Sequence, residues 1–313
     1  MTTNVEFWKQ KLAAFLHDPP SKCLDLSSHG KRAEQAYRQA GLIDEEVGKY
    51  LKDADHISAA ADRIPFPSPS GSGMRCAFDG VKNCFIHPLG NKQGEKLTFK
   101  FHKEFPSAEL AIEGENSVQP CLEQKSLNEL KDEDERWRAR FFAHWRLWRK
   151  HAIGHDYRLG FLPADTRIPD HSIWLHMQIA SAVAGCIENE KIDIAFLKFQ
   201  IGPVQEFIAA ARSIRDLWSG SYLLSWLMAS GLKALTEEVG PDSVIYPSLY
   251  GQPIFDLHWR DDLWNKVKIG SETVWSSFKY KEAEILTPNL PNVFLAIVPQ
   301  KRSSELAKKV ESR

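Results

Sequence analysis

Residues 192–207 read IDIAFLKFQIGPVQEF. The first ten are a dense apolar run with β-branched members, too short for a core helix, so the spacing predicts a buried strand over 192–201. Gly202 and Pro203 turn the chain, and a long helix is expected from about Val204 to Val239. Downstream, VIYPS (244–248) and NVFLAIVP (292–299) read as two further strands. RSSELAKKVESR (302–313) reads as a second helix with a serine cap. The order from 191 to 313 is therefore βαββα. A ferredoxin-like sheet needs one more strand, so this domain is expected to be incomplete and the chain to be the first part of a longer subunit rather than a naturally short one.

Upstream of residue 190 the pattern is helical. Val5, Phe7, Trp8, Leu12, Phe15 and Leu16 recur at helical spacing until Pro19 and Pro20 forbid continuation. Residues 31–52 read as charged helix, and DADHISAAADR (53–63) as a small-residue helix able to pack closely. PFPSPSGSG (65–73) is a loop by composition, and KLTFKFHKEF (96–105) has strand-like pieces. The whole of 65–130 is expected to be an irregular insertion. Residues 131–152 are again helical, and a helix is expected to start near Ser172, capped by Asp170 or Ser172. With 313 residues, at ~100–200 per domain, two domains are expected: 1–190, mainly helical, and 191–313, α/β.

At 43 % hydrophobic and 26 % charged residues the composition is that of a globular protein, and a net charge of −1 gives no global attraction to polyanions. Nucleic-acid contact must then come from local basic patches. No apolar run approaches the ~18 residues of a membrane span, and five scattered cysteines suggest no disulfide framework, so a reduced, cytoplasmic setting is expected. Cys76, Cys84 and His87 match no common zinc module.

The chemistry concentrates in FLHDPPSK (15–22). His17 and Asp18 stand where the prolines end a helix. Imidazole and carboxylate both ligate Mn, Co or Ni, and an adjacent pair can serve two ions. The same dipeptide also fits a terminal histidine facing the helix dipole beside a capping aspartate. Asp55, on the Ala-rich segment, is a carboxylate able to project into a helical core. His176 lies in an apolar face and fits either a ligand or a satisfied core histidine. His171, five residues away, points elsewhere, and His29 follows a Ser-Ser turn. RWRARFFAHWRLWRK (136–150) interleaves arginine with aromatics, as single-stranded nucleic acid sites do, with Arg136 and Arg140 as candidates. The alternative is a core helix with solvated arginines. Gly202, Gln205 and Ser221 line the strand–turn–helix unit, where a glycine turn and helix amides suit phosphates.

FLHDPPSKCLDL, DADHISAAADR, PADTRIPDHSIWLH and, most specifically, FQIGPVQEFIAAARSIRDLWSGSYLLSWL and PNLPNVFLAIVP resemble the large subunit of type III-B CRISPR effector complexes. The resemblance covers nearly the whole chain and is least distinctive over 65–135. It implies a permuted HD hydrolase domain followed by a palm domain of the nucleotidyl-cyclase type. Permutation would order the ligands as His17 and Asp18, then Asp55, then His176 in preference to His171, with His29 as a further candidate. The implied activity is metal-dependent cleavage of single-stranded DNA (Mn, Ni or Co, with Mg possible), switched on by target RNA in a guide-RNA complex with other type III-B subunits. Lys22 would meet the scissile phosphate. In the palm, Gly202, Gln205 and Ser221 would contribute to an ATP site for cyclic oligoadenylate synthesis. That family's Gly-Gly-Asp-Asp signature is absent from this sequence, so the cyclase site would be incomplete in it. A scaffold subunit with a degenerate HD site is the alternative reading.

Overall fold

The computed structural model describes residues 4–42, 51–58, 85–86, 96–97, 107–116, 124–164, 171–189 and 191–313. Asp62, Arg63, Cys76, Cys84, His87 and Asp170 lie outside them. The chain is α/β and mostly helical, with small sheets. It divides into two compact units, one of residues 1–8, 122–142 and 185–313, the other of 9–121 and 143–184. The helices Asn4–Leu16 and Glu133–His155 contribute residues to both.

In the first unit the strand Val293–Pro299 lies centrally, antiparallel to Ile194–Gln200 on one side and to Val244–Tyr246 on the other. Phe294, Ala296 and Val298 are fully buried on the central strand. The buried strand expected over 192–201 instead lies at the edge. Its Leu197 points inward while Phe196, opposite Ile297, is 69 % exposed. The physical reason is that an antiparallel sheet covered on one face buries every second side chain, however apolar the other set is.

The covered face packs on Ser303–Glu311, which also lies along the long helix Ile214–Val239. A Cβ at Gly231 would come within 3.2 Å of the Val310 side chain, so glycine permits that close approach.

The single helix expected over 204–239 is two, Val204–Ala209 and Ile214–Val239. Ser213 is extended between them, its hydroxyl accepting from Asp216 N at 3.1 Å, while Asp216 accepts from Arg212 N at 3.3 Å. This reciprocal capping offers the backbone a local alternative to a continuous helix. The expected serine cap at 302–313 is also absent. A 3-10 turn over Gln300–Arg302 leads into the helix, and the Ser303 hydroxyl donates to the Gln300 carbonyl at 2.8 Å. An aromatic core in which Phe142 meets Trp259 (4.7 Å between centroids) and Trp264 (6.3 Å) completes this unit.

The second unit packs its helices around Trp148, which is 1 % exposed and meets Phe15 at 6.1 Å and Trp174 at 5.8 Å. Each indole N–H is satisfied at 2.8 Å, Trp148 by the Glu115 carbonyl and Trp174 by the Leu159 carbonyl. Glu115 belongs to a helix, Ala108–Asn116, within the stretch expected to be irregular. Buried Lys11 donates Nζ to the Ser181 carbonyl (3.2 Å), and Ser181 returns its hydroxyl to the Lys11 carbonyl (3.0 Å). Together these bonds lock the first helix to Ile173–Ala184. Against that same helix packs the short Leu51–Ser58, with Ala54 and Ala180 both fully buried at small-residue positions.

Candidate metal centre

The helix Asn4–Leu16 ends one residue before His17, and Pro19 starts a turn in which Lys22 N donates to the Pro19 carbonyl at 2.9 Å. His17 Nδ1 meets the Ala14 carbonyl at 2.6 Å. A carbonyl only accepts, so Nδ1 donates a proton there and Nε2 is turned toward Asp18 and Asp55. Packing of Leu51–Ser58 on Ile173–Ala184 then carries Asp55 and His176 to the same point.

Four side chains close a ring there. His17 Nε2 lies 3.4 Å from Asp18 Oδ2 and 3.5 Å from Asp55 Oδ1, and His176 Nε2 lies 3.4 Å from each of the same two oxygens. Nitrogen and oxygen alternate, and all four donor atoms lie within 4.8 Å of one another. Side-chain exposure is 7 % at His17, 5 % at Asp18 and 4 % at His176, with Asp55 at 32 % the open side.

The ring fits an ion better than it fits itself. His17 Nε2 and both ring nitrogens of His176 are buried with no hydrogen-bond partner, an arrangement that costs about 1–3 kcal/mol per group if nothing fills it. Ligand atoms with bonds of ~2.1 Å to one ion stand about 3.0–3.4 Å apart, and the adjacent donors of the ring, at 3.4–3.5 Å, stand at the upper end of that range. Two imidazoles and two carboxylates suit Mn, Co or Ni.

Electrostatics point the same way. Burial would raise the Asp18 carboxyl, but the charges of His17 and Lys22 and the facing His176 hold it well below the usual carboxylate range. Asp55 is likewise held low against its burial by His17 and His176. Burial would lower His176, yet Asp18 and Asp55 push it up to about 9. The site thus demands positive charge, which a proton supplies when a metal does not.

Lys22 Nζ lies 2.5 Å from Asp18 Oδ2. Its turn is anchored by a buried network that the sequence reading missed. Ser21 donates both N–H (3.2 Å) and hydroxyl (2.6 Å) to Glu115 Oε2, which also receives Arg32 Nη1 at 3.0 Å. His29 does not join the ring. It begins the helix His29–Gln39 with Nδ1 2.7 Å from the Leu26 carbonyl. The His171 ring stands 6.0 Å from that of His176 and is not among the four donors.

The remaining candidates lie in the first unit. Gly202 and Gln205 are exposed at the turn, where a Cβ on Gly202 would meet nothing within 4 Å, and Ser221 is half-buried on the long helix. Arg136 and Arg140 are half-buried, the Arg140 guanidinium 4.9 Å over the Trp137 ring. Burial lowers the Arg140 pKa and neighbouring Arg136 adds to the effect.

Comparison with known proteins follows this geometry. The family described as CRISPR-associated protein Cmr2, N-terminal, matches residues 196–313. A Cmr subunit Cmr2 of Pyrococcus furiosus is 30 % identical over 97 % of this chain and 36 % of its own length. Its counterpart in Saccharolobus solfataricus is 26 % identical over 86 % of this chain and 26 % of its own. A type III-B Cmr-beta structure determined by cryo-EM in the apo state superposes with a TM-score of 0.62, covering 97 % of this chain and 32 % of that one at 20 % identity, and so bears on fold alone. The chain is thus similar, over nearly its whole length, to subunits of CRISPR Cmr systems. The similarity is to the N-terminal part of Cmr2, through the family match over residues 196–313 and through both relatives. The chain spans about a third of the length of the curated relatives it matches, or less. Among the described residues no helix is long and apolar enough to cross a membrane.

Proposed function

We propose that this chain is the N-terminal part of the large subunit of an RNA-guided type III-B complex, and that its metal centre cleaves single-stranded DNA when target RNA is bound. The observation that carries the reading is the buried ring of His17, Asp18, Asp55 and His176, with two orphaned imidazole nitrogens, His17 Nε2 and His176 Nε2, facing a space suited to one ion. The ligand order along the chain, His-Asp then Asp then His, supports a permuted HD domain. The antiparallel sheet of the other unit, with Val293–Pro299 between Ile194–Gln200 and Val244–Tyr246 and helices in the connections, supports a palm domain of the cyclase type.

In this reading the four side chains hold a divalent transition metal (Mn, Ni or Co, with Mg as a further candidate). When bound, such an ion polarises a phosphoryl oxygen and makes hydroxide available near neutral pH. His17, oriented by its Nδ1 bond to Ala14, and His176, buried at 4 %, fix the donor geometry. Asp55 leaves the one open side, by which a phosphodiester would enter. The Lys22 ammonium beside Asp18 would meet that phosphodiester and orient it. Arg136 and Arg140 would contact the strand elsewhere. Gly202, Gln205 and Ser221 would form part of an ATP site that other parts of a longer subunit complete. Guide RNA, target RNA and the other type III-B subunits are the partners, in the cytoplasm.

A scaffold role is the second reading. It draws on the apolar side chains exposed on the long helix, among them Ile214 at 85 %, Trp218 at 43 % and Leu227 at 43 %, more than an isolated domain ordinarily leaves in water.

The test is metal content and single-stranded DNA cleavage on the same preparations, wild type beside His17→Ala/Asp18→Ala. Metal and cleavage lost together, with the fold and assembly intact, support the nuclease. A wild type that binds no metal and does not cut with added Mn²⁺ leaves the scaffold.

A further inference from the structure

Lys22 is tied to the metal centre more tightly than a substrate-facing lysine needs to be. Its Nζ lies 2.5 Å from Asp18 Oδ2, the same oxygen that faces His17 Nε2 and His176 Nε2 across the ring. The backbone that carries it is clamped. Pro19 O receives Lys22 N at 2.9 Å, and Ser21, the preceding residue, gives two hydrogen bonds to buried Glu115. Arg32 joins Glu115 from the next helix at 3.0 Å and also donates to the Asp25 carbonyl at 2.8 Å, so the turn is held at both ends. The Lys22 side chain is only 23 % exposed. A solvated surface lysine shows none of this.

A carboxylate has about four acceptor sites and can bind two cations at once, which is how an aspartate bridges a two-metal centre with ions ~3.5–4 Å apart. Here one of the places on Asp18 is held by an ammonium. The charges agree. Asp18 and Asp55 set against Lys22 leave one net negative charge on the described residues of the centre. A single divalent ion turns that into one positive charge, suited to one phosphodiester. A second divalent ion would raise it to three, with no further carboxylate among the described residues of the cluster to offset it.

We infer that this centre takes one divalent ion, and that the Lys22 ammonium stands on Asp18 as a built-in second cation. The inference rests on the metal-centre reading above and specifies its stoichiometry. The lysine then does what a second ion does by charge alone. It occupies one side of Asp18 and offers its remaining N–H groups to the phosphate. It cannot activate a second water, so the hydroxide would come from the single ion.

The experiment uses the full chain, stripped of metal and titrated with Mn²⁺, with bound ions counted by plasma mass spectrometry and affinity read by calorimetry. One Mn²⁺ per wild-type chain is expected. Lys22→Met keeps the aliphatic stem and removes a positive charge beside the ion. It should bind Mn²⁺ about tenfold tighter or more, or admit a second ion. Lys22→Gln should behave alike, and circular dichroism checks that both fold. Two Mn²⁺ in the wild type would overturn the inference while leaving the metal centre standing. Unchanged or weaker affinity in a folded neutral variant would also overturn it. No Mn²⁺ in the wild type would instead overturn the metal-centre reading itself.

Discussion

Arg32 Nη1 lies 3.0 Å from Glu115 Oε2, and their side chains are 9 % and 5 % exposed. Burial pushes the Glu115 carboxyl up, while Arg32 and Ser21 offset part of that rise. Glu115→Ala would strand a buried guanidinium and should destabilise the unit by ~3–5 kcal/mol. Adding Arg32→Met to it should recover most of the loss, since a buried pair replaced by apolar groups is often nearly neutral. Urea midpoints of the single and double variants check this. Equal midpoints for the two would mean that the stranded guanidinium is not the source of the loss.

Ala54 sits fully buried where Leu51–Ser58 packs on Ile173–Ala184. Ala54→Leu should cost about 1–3 kcal/mol through overpacking. By forcing that helix outward it should also withdraw Asp55 from the ring. Mn²⁺ affinity should therefore fall even where the variant remains folded at 25 °C. Retained affinity in a destabilised variant would separate the helix contact from the metal centre.

Trp148 fills the middle of its unit and donates to the Glu115 carbonyl at 2.8 Å. Trp148→Ala should cost ~3–5 kcal/mol and Trp148→Phe distinctly less, because phenylalanine keeps most of the volume and loses the donor. Thermal unfolding of both, side by side, measures the difference.

His258 packs against Trp226 with ring centroids 4.3 Å apart. Burial, helped by the charge of Lys233, pushes its pKa down to about 4. An unfolded histidine titrates near ~6.5, so below that pH the unfolded chain takes up a proton that the folded one refuses. Stability should fall as pH drops from about 6.5 to about 4 and change no further from this group below that. His258→Gln should flatten that part of the curve of urea midpoint against pH.

The sequence told its story unevenly. The ends of the first helix and of the helix after Ser172 were legible because proline and serine act within one turn, and the strands at 194–200 and 293–299 because their apolar runs are dense. The helix break at Ser213 was not legible, since Ala209, Ala210 and Ala211 read as strong helix formers and only the Ser213–Asp216 exchange stops them. The burial of Val293–Pro299 in place of Ile194–Gln200 depends on strand order, which no local pattern encodes. At the site, His17 and Asp18 stood out as neighbours. The network of Glu115 with Ser21 and Arg32 did not, because its partners lie 94 and 83 residues away and Glu115 looks like any surface glutamate.

The four donors come from positions 17, 18, 55 and 176, and that spread sets an order in time. A chain emerging from the ribosome at ~5–20 residues per second makes His17 and Asp18 early, but His176 follows Asp18 only after about 8–30 seconds. Throughout that interval the centre is one imidazole short, and the nascent chain cannot close the ring of donors. The last donor to be synthesised completes the ring that the first two begin.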